Sequence, residues 1–263
     1  MPKRSRRPPS QFIRTRGTRL FVRDLGAENA PPLLLLHGFR RCGLTFLPQL
    51  EPLSRHFRLL IPDLPGHGES RPGKKSVAIS DMLAAIDAVY RRFHLRQADL
   101  MGHSMGGVVA GKYALAHPSR VRSLIFLESL PLVAVWIQPD KVRRSQDHFV
   151  GRRLDRFITK KNSLQYEEET YQSILKDLRP QNVIEVFTLP ALRILLILNR
   201  CKKNPAAYYV RKIEEELGKI GRSPAAEYRL VMIDEGGHFV HWTRPQKVNR
   251  AVIRFLKGGG ARR

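Results

Sequence analysis

The sequence predicts an α/β domain on a mostly parallel sheet, and three observations predict it. Short, mainly apolar runs such as Leu33 to Leu36, Phe57 to Pro62 and Val121 to Leu127 have the length and composition of strands buried on both faces. Between them lie segments with apolar residues three and four apart, the spacing of helices that turn one side to a sheet. The order strand, helix, strand, helix then calls for right-handed crossovers between parallel strands.

Taken in order, the alternation around Gly17 between Phe12 and Asp24 predicts a hairpin, with Ile13 on one arm and Leu20 and Val22 on the other. Ala30-Pro31-Pro32 breaks the chain before the strand at Leu33 to Leu36, which ends in His37-Gly38-Phe39. A helix from about Leu44 to His56 leads to the strand Phe57 to Pro62, and the turn formers Asp63 to Ser70 stop it. Met82, Leu83, Ile86, Val89, Tyr90 and Phe93 form the apolar stripe of a helix that Ser80 is expected to cap. Ala98 to Met101 reads as a short buried strand and Val108 to Leu115 as a buried helix, with a tight turn between them. After the strand Val121 to Leu127 the alternation stops until Leu192. The polar and basic stretch between, residues 131–190, is read as an inserted helical cap dividing the core into 12–130 and 191–258. A strand at Leu192 to Leu198, a helix near Ala206 to Lys219, a strand at Tyr228 to Ile233 and a helix at Pro245 to Lys257 complete the core.

The 263 residues suffice for one large core and argue against two. No apolar run approaches membrane-spanning length and no secretory signal is read, so a soluble, cytoplasmic protein is expected. Two cysteines, Cys42 and Cys201, make no disulfide framework. The net charge of +24 is uneven: residues 1–23 carry eight Lys or Arg and no acid, and a second basic cluster in 141–160 is interrupted only by Asp147 and Asp155. Such a field attracts polyanions, yet no aromatic-studded basic stripe or DNA-binding motif accompanies it. A well-solvated basic surface is expected, with no specific nucleic acid partner, and residues 1–11 read as a disordered basic arm.

Chemistry enters at Gly102-His103-Ser104-Met105-Gly106, a GxSxG turn in which Ser104 is the candidate nucleophile. The glycines on either side are needed because a reversal this sharp brings positions two before and two after the serine together. Four blocks, LLLLHGF (33–39), DLPGHGES (63–70), GHSMGG (102–107) and EGGHFVHW (235–242), occur in the order and places found in one family. Over residues 20–257 the chain resembles the α/β-hydrolase superfamily. The resemblance implies an eight-stranded, mostly parallel sheet with helices on both faces, a site at the carboxyl edge and a cap inserted after the sixth strand.

It also implies His238 as general base, since it lies after the last strand and before the last helix. A histidine suits this work because its ordinary pKa lets it take and return a proton near neutrality. His103 is read as packing beside the nucleophile, His37 as holding the oxyanion turn, and His67 and His241 as loop residues. The oxyanion donors would be the main-chain N–H groups of Phe39 and Met105, together supplying several kcal/mol by analogy with roughly 2.7 to 4 for one such donor. No metal and no cofactor are expected.

One element departs from the family's pattern. The loop Asn199-Arg200-Cys201-Lys202-Lys203-Asn204-Pro205, after the seventh strand, contains no carboxylate where the family's acid usually stands. Asn204 occupies about that place, and an amide cannot stabilise an imidazolium as a carboxylate does. Glu128, ending the sixth strand, is expected to take the acid role; the competing reading is that it only braces the cap. Asp63 and Glu69 read as structural turn residues. Arg40 and Arg41 either set a guanidinium at the pocket mouth, favouring carboxylate- or phosphate-bearing substrates, or are solvated loop residues. Trp136 and Phe149 in the cap line an acyl pocket or belong to its core. The leading reading is a serine hydrolase acting on a small ester-like substrate through an acyl-enzyme. A carbon-carbon bond hydrolase or acyltransferase would use the same serine, and a catalytically weak or inactive binding protein would keep only the scaffold.

Overall fold

A computed structural model describes residues 10–15, 18–70, 76–129, 131, 168–200, 206–220 and 227–258. In chain order the elements are β1 (Ser10–Thr15), β2 (Thr18–Leu25), β3 (Pro32–Leu36), α1 (Leu47–Ser54), β4 (Arg58–Pro62), α2 (Ile79–Arg92), β5 (Ala98–His103), α3 (Met105–Ala116), β6 (Val121–Leu127), α4 (Glu168–Leu178), β7 (Arg193–Arg200), α5 (Ala206–Ile220), β8 (Glu227–Asp234), α6 (Val240–Thr243) and α7 (Pro245–Lys257). The eight strands form one sheet in the order β1-β2-β4-β3-β5-β6-β7-β8. The β1–β2 and β2–β4 pairs are antiparallel and all others parallel. The turn of the expected hairpin, with Gly17, lies outside the described residues.

The apolar runs are buried on both faces, and their period of two sorts them into two cores. Leu34, Leu36, Leu100, Leu124, Phe126, Ile194 and Leu196 face the layer containing α2, α3, α4 and α5. Leu33, Leu35, Met101, Ile125, Leu127, Leu195 and Ile197 face α1 and α7, where Val248, Val252 and Phe255 supply the stripe expected of the last helix. Helix α3 is apolar nearly all round and lies in the middle of its layer, with Val109, Ala110, Tyr113 and Ala114 fully buried.

Two expectations are corrected. The helix expected over Leu44 to His56 is a 3-10 turn, Gly43–Phe46, followed by α1, where Pro48 in the first turn has no N–H to leave unsatisfied. Ser80 does not cap α2, which begins one residue earlier. Its first donors find carboxylates instead: Ala78 N–H donates to Asp81 at 2.9 Å and Ile79 N–H to Asp177 of α4 at 2.6 Å. Ser173 of α4 adds a bond from Val77 N–H at 3.0 Å, so α4 is clamped to the entry of α2.

Parallel strands have their carboxyl ends on one edge of the sheet, and the turns there carry His37, Ser104, Glu128 and His238.

Candidate active site

Ser104 stands between β5 and α3 with φ 51° and ψ −120°, a strained conformation for a non-glycine residue. The neighbouring chain leaves it no alternative. A Cβ on Gly102 would collide with the backbone of Gly106, and one on Gly106 with the carbonyl of Leu36. Ser104 N–H donates to Leu127 O at 3.1 Å, Gly107 N–H donates to Ser104 O at 2.9 Å, and the Ser129 hydroxyl donates to the same carbonyl at 2.7 Å. Ser129 is a contribution the sequence did not reveal: its hydroxyl reads as generic until β6 is paired beside β5.

The turn after β3 rests against Ser104, since a Cβ on Gly38 would stand 3.3 Å from that of Ser104. His37 holds this turn to the loop after β4. Its Nε2 accepts from Leu64 N–H at 2.9 Å, which leaves Nδ1 to donate to Gly38 O at 2.8 Å. Complete burial pushes its pKa down to about 4, so the ring stays neutral and can play both parts. Phe39 follows, its ring 5.1 Å from Tyr171 of α4. Met105 is the first residue of α3, so its N–H has no acceptor within the helix. Asp63 is structural as expected: it is fully buried, accepts from Gly43 N–H at 2.7 Å and Glu69 N–H at 3.0 Å, and pairs with Arg23 at 2.6 Å.

His238 lies in the turn after β8, and its Nδ1 is 3.8 Å from Glu128 Oε2. Glu128 is 5% exposed and has φ 44°, which turns its side chain back over the strand ends. Its other oxygen, Oε1, accepts the main-chain N–H of Asn199 at the end of β7. The strand that would usually carry the acid thus contributes a backbone donor to a carboxylate arriving from β6. The Asn199 side chain accepts from Gly236 N–H at 2.6 Å, and the Thr243 hydroxyl donates to Gly236 O at 2.5 Å, so the turn before His238 is held from two sides. Sequence reasoning missed Asn199, which carries no local signal. Asn204, Trp136 and Phe149 lie outside the described residues.

Arg40 and Arg41 diverge. Arg40 reaches α4, with Nη2 3.0 Å from Glu168 Oε2 and its guanidinium 4.7 Å from the centre of the Tyr171 ring. Arg41 is 8% exposed, over the Phe239 ring at 5.1 Å, and is not the solvated loop residue the sequence allowed. His241 is likewise not a loop residue: it lies in α6, fully buried, with neither ring nitrogen bonded. Among the described residues no group of His, Cys, Asp and Glu could hold a metal ion.

A family model described as alpha/beta hydrolase fold matches residues 31–213. The chain belongs to the α/β-hydrolase fold family. A pimeloyl-[acyl-carrier protein] methyl ester esterase of Chromobacterium violaceum is 31% identical over 193 residues, covering 67% of this chain and 70% of that protein. The 30 kDa magnesium-chelatase subunit of Rhodobacter capsulatus is 35% identical over 99 residues, 37% of this chain, and the chain spans only 35% of its length. Among solved structures, an esterase from Exiguobacterium antarcticum superposes with a TM-score of 0.73 at 21% identity, covering 95% of this chain and all (100%) of that one. These relatives of the α/β-hydrolase chain carry different activities on one scaffold, so the activity has to be argued from the site.

Proposed function

We propose that this α/β-hydrolase-fold chain is a serine hydrolase of esters. Ser104 Oγ attacks the acyl carbon while His238 takes its proton. The alkoxide that forms is held by the N–H groups of Phe39 and Met105. Its collapse expels the alcohol, which receives the proton from His238, and water then releases the acid from the acyl-serine by the same steps. Glu128 orients His238 and stabilises its imidazolium. The observation that carries the reading is the approach of Glu128 to His238 at 3.8 Å, because it supplies a carboxylate where the sequence after β7 has none. That distance is long for a hydrogen bond and within reach of a small loop movement. The methyl ester named for the C. violaceum relative suggests the bond class, an alkyl ester of an acyl chain.

The inserted segment 131–190 serves in this reading as a cap. Arg40 is engaged with Glu168, so an anionic substrate group would have to displace that carboxylate. The competing reading, a scaffold without catalysis, draws only on the absence of an acid after β7. A fluorophosphonate probe and p-nitrophenyl acyl esters separate the two. Labelling and turnover by the wild type that disappear in Ser104→Ala support the hydrolase; a folded wild type that neither labels nor turns over an ester overturns it.

A further inference from the structure

We propose that His103 is a positioning residue that sets the base loop against the nucleophile turn, acting through the backbone of His238. The inference rests on the assignment of His238 as base. His103 ends β5, next to Ser104, and is 1% exposed. Its Nε2 lies 2.9 Å from the carbonyl oxygen of His238. A carbonyl only accepts, so Nε2 carries the proton and Nδ1 is bare. Bare Nδ1 faces Gly38, where an added Cβ would approach to 2.9 Å. One ring therefore spans from the turn after β3 to the loop after β8, and glycine at 38 is what lets it fit.

The surroundings keep that ring in one orientation and one charge state. It packs on His238 at 4.8 Å, His241 at 4.5 Å and Phe239 at 5.5 Å between ring centres. Burial first, then the nearby His241, His238 and Arg41, hold its pKa well below the ordinary value, so it remains a neutral single donor. Gly236 is held by Asn199 and Thr243, while His103 holds the carbonyl of His238 itself. Ring packing alone would need neither the donor nor its direction.

The test contrasts His103→Phe, which keeps a planar ring and removes the donor, with His103→Gln, which removes the ring and can return a donor near Nε2. Turnover of a p-nitrophenyl ester is measured together with hydrogen–deuterium exchange of a peptide spanning 235–243. The expected result is a fall in kcat of roughly 10- to 100-fold in His103→Phe with KM within about twofold, as for a misplaced catalytic group. The same variant exchanges faster over 235–243, and His103→Gln regains both properties in large part. If Phe is tolerated and Gln is not, or if exchange over 235–243 is the same in all three proteins, His103 only packs and the proposal is overturned. The exchange arm reads the loop without substrate, so a wild type lacking ester turnover would sink the hydrolase reading and still decide this one.

Discussion

Among the residues at the sheet edge with the positive φ that ordinary side chains avoid are Ser104 at φ 51° and Glu128 at φ 44°. Each such conformation costs on the order of 1 to 3 kcal/mol and persists only where the surroundings impose it. At Ser104 the closeness of Gly102, Gly106 and Leu36 imposes it; at Glu128 the Asn199 N–H holds the carboxylate and Ile197 O accepts the Glu128 N–H at 2.9 Å. Glu128→Gln keeps the shape and the acceptor for Asn199 but removes the charge facing His238. In steady-state ester hydrolysis kcat is expected to fall by on the order of 10³-fold or more, as for other acids of serine triads, with Ser104 still in place. Full activity in that variant would return Glu128 to the role of a brace. Ser104 and His238 were legible because each stands in a block of characteristic residues. Glu128 was legible as a candidate acid at the end of the sixth strand, but the sequence could not separate that role from a brace of the cap, because its approach to His238 depends on β7 lying between the strands that bear them.

The elements followed the apolar pattern closely, since a strand buried on both faces has few ways to hide four or five consecutive large side chains. Their ends did not. The start of α2 is held by Asp81 within the helix and by Asp177 and Ser173, which lie about a hundred residues away on α4 and could not be anticipated from a local reading of Ser80. Helix α4 in turn brings Tyr171 onto Phe39 and Glu168 onto Arg40, beside the turn after β3. Asp177→Ala removes the acceptor for Ile79 N–H and is expected to destabilise the protein by about 1 kcal/mol in urea titration, the usual worth of a lost helix cap. Amide exchange should quicken over 168–178 while β5 and α3 keep their protection. Unchanged exchange in α4 would show that its apolar contacts through Ile174 and Leu178 hold it without the clamp.

Over the whole molecule, the histidines matter more for stability than their number suggests. His37, His67 and His241 are all but fully buried, and burial lowers their pKa values to about 4, 3 and 3. Below the ordinary value near 6.5 the unfolded chain takes up protons that the folded one refuses, so stability is full above that pH and falls as pH drops toward 4. Each ring contributes at most about 1.4 kcal/mol per pH unit to that loss. The urea midpoint is expected to fall steadily as pH drops from about 6.5 to 4, and His241→Phe, which removes two unbonded buried nitrogens, should flatten the slope. A midpoint independent of pH in that range would contradict the burial of these rings as neutral groups. The net charge is the excess of 47 Lys and Arg over 23 Asp and Glu, and part of it lies on the outer side of α7, where Lys247, Arg250, Arg254 and Lys257 face solvent.

By itself the sequence determined the fold class, the strand and helix order, and the turn that bears Ser104, because each is a local pattern: an apolar run, a helical period, or glycines that permit one sharp reversal. The tertiary structure decided which carboxylate meets His238, what His103 holds, and where α2 begins. These are contacts between segments far apart in the chain, and only the packing of β6, β7 and β8 side by side, with α4 laid over the entry of α2, brings their partners within hydrogen-bonding reach.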